Sequence, residues 1–461
     1  MARDTRKVKG QPEPVAIGRR RGASTGLRLV IVAGTAIAFT AACSSSVSVK
    51  ASGKKANGSA SSTVPGETTT TAAGSNDAAT TTTAAGSGAP AKTATGAGGA
   101  GSGSPAPKVA SPAGPCSSSA PGGVLSSSCD TSTPSEQLTG AGANSAQPFF
   151  ARVFYYFNQA DHAVTVNYSP VGSSVGVSDI QQGTVQFGQS EIPIPTPASG
   201  SGGAILQVPV DLGGVALSYN VPGINGGLHL DGPTLANIYL GNITHWNDPA
   251  IANLNPGITL PSTTIIAVHR ADSSGPGYDL DQYLIDTGGP AWTAKAGNSS
   301  STHWPVSNVG VGQQLNTGVA SYIQQNPGAI GYVEYAYALQ ANFNNIALRN
   351  QTGSFVTPSR TSIAAAGANA ASLSASNFNI INGPGAGTYP LANFSWTLLY
   401  QKQSNANVGI ALGKLFDWVS TTGQQQASTL GYAPLPANVV TLAHQTLLQL
   451  DGPNGQPLFT G

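Results

Sequence analysis

From Gln137 onward, apolar positions recur with two periods in turn. Short β-branched and aromatic runs at 164–168 (VTVNY), 184–187, 215–219 (VALSY) and 264–269 (TIIAVH) predict strands. Between them, Phe149, Phe150, Val153, Phe154 and Phe157 fall on one face of a 3.6-residue repeat, which predicts a helix. Further helices are predicted at 233–240, 278–285, 318–325 and 408–420. Strands alternating with helices predict an α/β architecture with largely parallel sheets. A single core stops growing near about 250–300 residues, so two lobes are expected.

Upstream the pattern stops. Residues 44–136 are dominated by Ser, Thr, Ala, Gly and Pro, with too little apolar surface to offset the entropy of ordering them. They predict a disordered spacer whose Thr residues are candidates for glycosylation. Before it, Arg3, Lys7, Lys9, Arg19, Arg20, Arg21 and Arg28 precede an apolar run at 29–42 that is short for a membrane span. Residues 1–43 therefore read as a signal peptide and the chain as exported. Cys43 follows small residues as in a bacterial lipobox, although Thr40 stands where Leu is commonest. The expectation is lipidation of Cys43 and anchoring to the cell membrane; the alternative is ordinary cleavage beside Cys43 and secretion. Arg19-Arg20-Arg21 resembles a twin-arginine signal, but Gly22 breaks that motif.

A net charge of +1, with 8% charged residues, supplies no basic stripe for nucleic acid. Cys116 and Cys129 lie in the spacer and can pair with each other in an oxidising compartment. The six histidines are scattered without metal-ligand spacing, so neither a metal nor a cofactor is expected.

Three segments combine a strand-like lead, a turn rich in small and polar residues, and a helix start: 140–145 (GAGANS), 172–176 (GSSVG) and 272–275 (DSSG). Helix N-termini carry unpaired N–H groups and the positive end of the macrodipole, which attract anions. The third follows Arg270, whose guanidinium can give an oxyanion two parallel bonds while Asp272 orients it. The second also satisfies G-x-S-x-G, the pattern of a nucleophile elbow, with Ser174 as nucleophile and His444 as the only late histidine. That serine-hydrolase reading suffers from the early position of the turn.

Taken in order, 138–143 (LTGAGA), 172–174 (GSS), 231–248 (DGPTLANIYLGNITHWND), Arg270-Ala271-Asp272 with Ser274-Gly275, 327–336 (PGAIGYVEYA), 416–418 (FDW) and 431–436 (GYAPLP) resemble the successive motifs of the phosphate-binding component of bacterial high-affinity phosphate ABC transporters. The similarity spans about 137–450. It implies a type II periplasmic-binding-protein fold, with two lobes, two crossovers and a ligand cleft between them. Lobe 1 would comprise 137–214 plus 389–454 and lobe 2 would comprise 215–388. It also implies inorganic phosphate as ligand, an ABC permease and its ATPase as partners, and no enzymatic activity. The family's phosphate contacts fall on Asn144, Ser145, Ser173, Glu191, Arg270, Ser274, Gly275 and Pro276.

Several positions depart from the family's pattern. Asn144-Ser145 replace Thr-Phe, Pro276 replaces a Thr and lacks a backbone N–H, and Glu191 replaces an Asp. A buried carboxylate accepts a hydrogen bond from phosphate, which keeps a proton near neutral pH, and repels sulfate, which does not. A solvent-facing Glu191 would forfeit that selectivity. The departures leave a further alternative: the same fold binding another oxyanion, or serving in adhesion or sensing.

Overall fold

The structure, a computed structural model, describes residues 134–459 apart from 193, 196, 299, 371, 372 and 375–378. The signal segment, the spacer up to residue 133 and the three cysteines lie outside the described residues.

In chain order the strands are β1 (Glu136–Gly142), β2 (Val164–Ser169), β3 (Phe187–Ser190), β4 (Ala198–Gly200), β5 (Gly203–Tyr219), β6 (His229–Leu230), β7 (Ile266–Arg270), β8 (Val311–Gln313), β9 (Ala329–Glu334), β10 (Asn344–Asn345), β11 (Ala347–Arg349), β12 (Phe355–Val356) and β13 (Ala392–Tyr400). The main sheet runs β2-β1-β3-β13-β5-β9-β7-β8, with β4 and β10 added to β5; β12, β11 and β6 form a small second sheet. β1 is parallel to β2 and β3, and β7 is parallel to β8 and β9. The centre differs from the expectation of largely parallel sheets. β13 runs antiparallel to β3 and β5, and β5 antiparallel to β9, because these two long strands carry the chain between the parallel groups.

β5 has 17 residues and belongs to both halves of the sheet: its residues 205–214 pair with β13 and 215–219 with β9. Only its last part, 215–219, coincides with a predicted strand; the unpredicted part contains Pro209, which has no N–H to give the ladder. The partner strand accommodates the proline by stepping from Ser395 opposite Asp211 to Trp396 opposite Pro209, which leaves Val210 as the extra residue of a bulge. Glycine at 213 is required for a different reason: a Cβ there would sit 2.3 Å from Glu334 Oε1.

The remaining elements follow the pattern closely. The aromatic stripe forms the helix Gln147–Ala160 with Phe149, Phe150, Val153, Phe154 and Phe157 buried. It packs on Phe187, Phe416 and Trp418, with Phe150 edge-on to Tyr168 at 5.0 Å between ring centroids. Full burial of each such side chain contributes about 1.5–3 kcal/mol. In the other half, Trp246, Trp292, Tyr283 and Tyr332 anchor a second cluster. The helices predicted at 233–240, 278–285, 318–325 and 408–420 are Gly232–Tyr239, Gly275–Thr287, Leu315–Gln325 and Ala406–Ser420. The strand predicted at 184–187 lies at β3 instead, where all four residues are buried and no alternation marks them.

Candidate anion-binding site

The three polar turns end on helix N-termini. β1 closes on Gly142, at φ 150°, where a Cβ would fall 2.0 Å from the Gln189 carbonyl oxygen. Asn144 and Ser145 follow, both buried, and lead into Gln147–Ala160, whose Ala146 N-cap offers no side chain to the free N–H groups. After β2, Gly172 at φ 102° starts the helix Ser173–Gln182, again without a side-chain cap. After β7, the Ser274 hydroxyl accepts the Gly277 N–H at 3.1 Å and so caps Gly275–Thr287. That leaves the hydroxyl proton of Ser274 to donate.

These turns converge. A Cβ on Gly176 would lie 2.5 Å from the α-carbon of Gly142, so the first two meet backbone to backbone. The second and third are joined by a hydrogen bond between the Ser174 and Ser273 hydroxyls. Asn144 ties the first turn to the far half of the sheet: its Oδ1 accepts the Asn316 N–H at 3.0 Å and its carbonyl accepts the Tyr337 hydroxyl at 3.0 Å.

Arg270 lies at the end of β7 with 1% of its side chain exposed. Its Nε donates to Asp272 Oδ1 at 2.7 Å and its Nη2 donates to Oδ2, a two-pronged grip. The Tyr332 hydroxyl accepts the Arg270 backbone N–H at 2.9 Å. Burial pushes the Asp272 carboxyl up, but its bonds from Arg270 and from the Leu315 N–H outweigh this and hold it below its ordinary value. The third guanidinium nitrogen, Nη1, is buried with no hydrogen-bond partner, and so is Ser145 Oγ. Leaving a buried donor on a charged group unsatisfied costs about 1–3 kcal/mol or more, which an incoming anion would recover.

Glu191 follows β3 and is buried rather than solvent-facing. Its backbone N–H donates to Ser173 Oγ at 3.4 Å, and its Oε1 accepts from Asn393 Nδ2 at 3.0 Å. The side chain runs against Gly275, where a Cβ would be 2.1 Å from Oε2. Burial raises its pKa, while Ser145, Arg270 and Asn393 pull it back. Ser145 Oγ is near enough to lower Glu191 without making a bond of normal geometry.

Three more buried acids surround it. Asp279 is pushed well up by burial and by the Glu191 charge, against the pull of Asn393. Glu334 is pushed well up by burial and by Glu191, against the Gly214 N–H that it accepts at 2.8 Å. Asp211 is raised to about 7 by burial and Glu191, with Ser395 opposing. Both shifts favour the neutral forms of Asp279 and Glu334, a direction that lessens repulsion of an anion.

All eight predicted side chains and turn positions, Asn144, Ser145, Ser173, Glu191, Arg270, Asp272, Ser274 and Gly275, lie on these convergent segments. Pro276 occupies the first turn of its helix, where a missing N–H breaks no helical bond. The hydrolase pairing is not formed: Ser174 bonds Ser273, and His444 Nδ1 bonds Asp417 Oδ1 at 3.0 Å. Among the described residues no group of His, Cys, Asp and Glu is arranged to hold a metal ion. Asn393, Asp279, Asn316, Glu334 and Asp211 were not predicted. Asp279 carries a signal, being a charge four residues from Gly275 on the buried helix face; Asn393 on β13 carries none.

Residues 128–421 match the family model of the PBP superfamily domain. The phosphate-binding protein PstS of Xylella fastidiosa is 40% identical over 311 residues, 67% of this chain and 84% of that protein. This chain belongs to the phosphate-binding protein family of the PBP superfamily. Another phosphate-binding protein PstS, from Pasteurella multocida, is 37% identical over 321 residues, covering 69% of this chain and 91% of its own. Among solved folds, a phosphate-binding protein from Stenotrophomonas maltophilia superposes with a TM-score of 0.51 at 18% identity, over 67% of this chain and 93% of that one. A high-affinity periplasmic phosphate-binding protein, solved with phosphate, gives 0.53 at 17% identity over 70% and 99%. The mixed α/β fold is that of the periplasmic-binding-protein type.

Proposed function

We propose that this protein is an extracytoplasmic receptor that captures inorganic phosphate and delivers it to an ABC permease and its ATPase. The observation that carries the reading is the buried Arg270 guanidinium, forked onto Asp272 with Nη1 unpartnered and near enough to the buried Glu191 carboxylate for its charge to act on it. Arg270, the hydroxyls of Ser145, Ser173 and Ser274, the amide of Asn144 and the N–H groups of the helix starts supply donors. Glu191 is the acceptor for the proton that phosphate retains. The names of the relatives, phosphate-binding protein in each case, support the same ligand and a binding rather than a catalytic role.

In this reading 137–214 plus 389–454 form one lobe and 215–388 the other, hinged through β5 and the approach to β13. Contacts such as Ser174 to Ser273 and Asn144 to Asn316 mark the closed form. Ligand shifts the population toward that form, which the permease recognises. Residues 1–43 direct export, lipidated Cys43 tethers the chain to the membrane, and 44–136 give the receptor its reach.

The test is calorimetric titration with phosphate, arsenate and sulfate. Saturable binding of phosphate and arsenate with sulfate excluded supports the reading; no heat with phosphate, or sulfate bound as tightly, refutes it. The tight fit of Glu191 against Gly275 favours one alternative, the same fold selecting a different oxyanion, which that titration separates.

A further inference from the structure

Glu191, Asn393 and Asp279 belong to three separate elements: the segment after β3, the start of β13, and the helix Gly275–Thr287. One nitrogen joins them. Asn393 Nδ2 donates to Glu191 Oε1 at 3.0 Å and to Asp279 Oδ2 at 2.5 Å. All three side chains are buried, and both protons of the amide nitrogen are used, so Asn393 cannot turn without breaking a bond. On its other side the Glu191 chain lies against Gly275. A glutamate has one more torsion to fix than an aspartate, and here it is held from both sides.

We propose that Asn393, braced by Asp279, is a positioning residue that sets specificity: it holds the Glu191 carboxylate as a hydrogen-bond acceptor, so that an oxyanion with a proton to give is preferred over one without. This rests on the reading of the site as a phosphate receptor. The charge on Glu191 is disfavoured by burial and favoured by Ser145, Arg270 and the Asn393 N–H. Without that N–H, Glu191 takes up a proton more readily and becomes a donor. A protonated Glu191 no longer repels sulfate. Asp279 completes the device as the second buried acceptor of the Asn393 amide.

The test is titration of the full chain with phosphate and with sulfate, unsubstituted and as Asn393→Ala and Asp279→Asn. Loss of a hydrogen bond to a charged group predicts that Asn393→Ala lowers the phosphate-over-sulfate preference by about ten- to a hundredfold. Asp279→Asn still offers an amide oxygen to Asn393 and is expected to retain the preference. An unchanged ratio in Asn393→Ala, or equal weakening of both anions, overturns the inference while leaving phosphate binding intact. An unsubstituted protein without preference for phosphate overturns the receptor reading, and this inference with it. Should Asn393→Ala fail to fold, Asn393→Ser, whose hydroxyl is too short to span both carboxylates, carries the same expectation and the same refutation.

Discussion

Asp211 sits on β5 opposite Ser395 of β13, and a row of polar side chains crosses the sheet there. Gln189 Nε2 donates to Ser395 Oγ at 2.8 Å, the Ser395 hydroxyl donates to Asp211 Oδ2, and Thr397 Oγ1 donates to Gln189 Oε1 at 2.7 Å. Burial raises the Asp211 pKa from 3.8 to about 7. Between those values the folded protein keeps a proton that the unfolded chain has released, so this group's contribution to stability falls as pH rises through the window and levels off above it. A gap of about three between the two pKa values, at about 1.4 kcal/mol for each, amounts to about 4 kcal/mol by pH 8. Asp211→Asn removes the charge and keeps an oxygen for Ser395. In urea unfolding, the variant is expected to gain up to about 4 kcal/mol over the parent at pH 8, with the gain shrinking toward zero below about pH 4. A difference that does not change with pH, or a variant less stable at pH 8, would refute the reasoning.

Two further outcomes follow from the packing. Phe187 is fully buried against Phe150, Phe154, Tyr168 and Phe416, so Phe187→Ala is expected to cost about 3–5 kcal/mol in the same unfolding assay. Gly275→Ala places a methyl group 2.1 Å from Glu191 Oε2, and forcing it in costs about 1–3 kcal/mol, so phosphate affinity measured by calorimetry should fall about ten- to a hundredfold.

The convergent turns were legible because their chemistry is local: a glycine where backbones touch, hydroxyls at a helix start, and an arginine two residues from an aspartate. The aromatic helix was equally open to reading, since five apolar residues on one face permit little else. What escaped was non-local. β5 hides a strand behind Pro209, which the bulge at its neighbour Val210 makes tolerable. Asn393 touches Glu191 across 202 residues of sequence and Asp279 across 114, and no spacing rule reaches that far. Asp211 and Glu334 acquire their raised pKa values from the depth at which the fold places them and from Glu191, which it brings beside them.

The most direct measurement is a crystal structure of the protein grown in millimolar phosphate. The account predicts phosphate in the closed site, with Arg270 Nη1 and Ser145 Oγ donating to its oxygens and its own hydroxyl donating to Glu191. Phosphate bound elsewhere, or a closed site in which Arg270 Nη1 still has no partner, would contradict it.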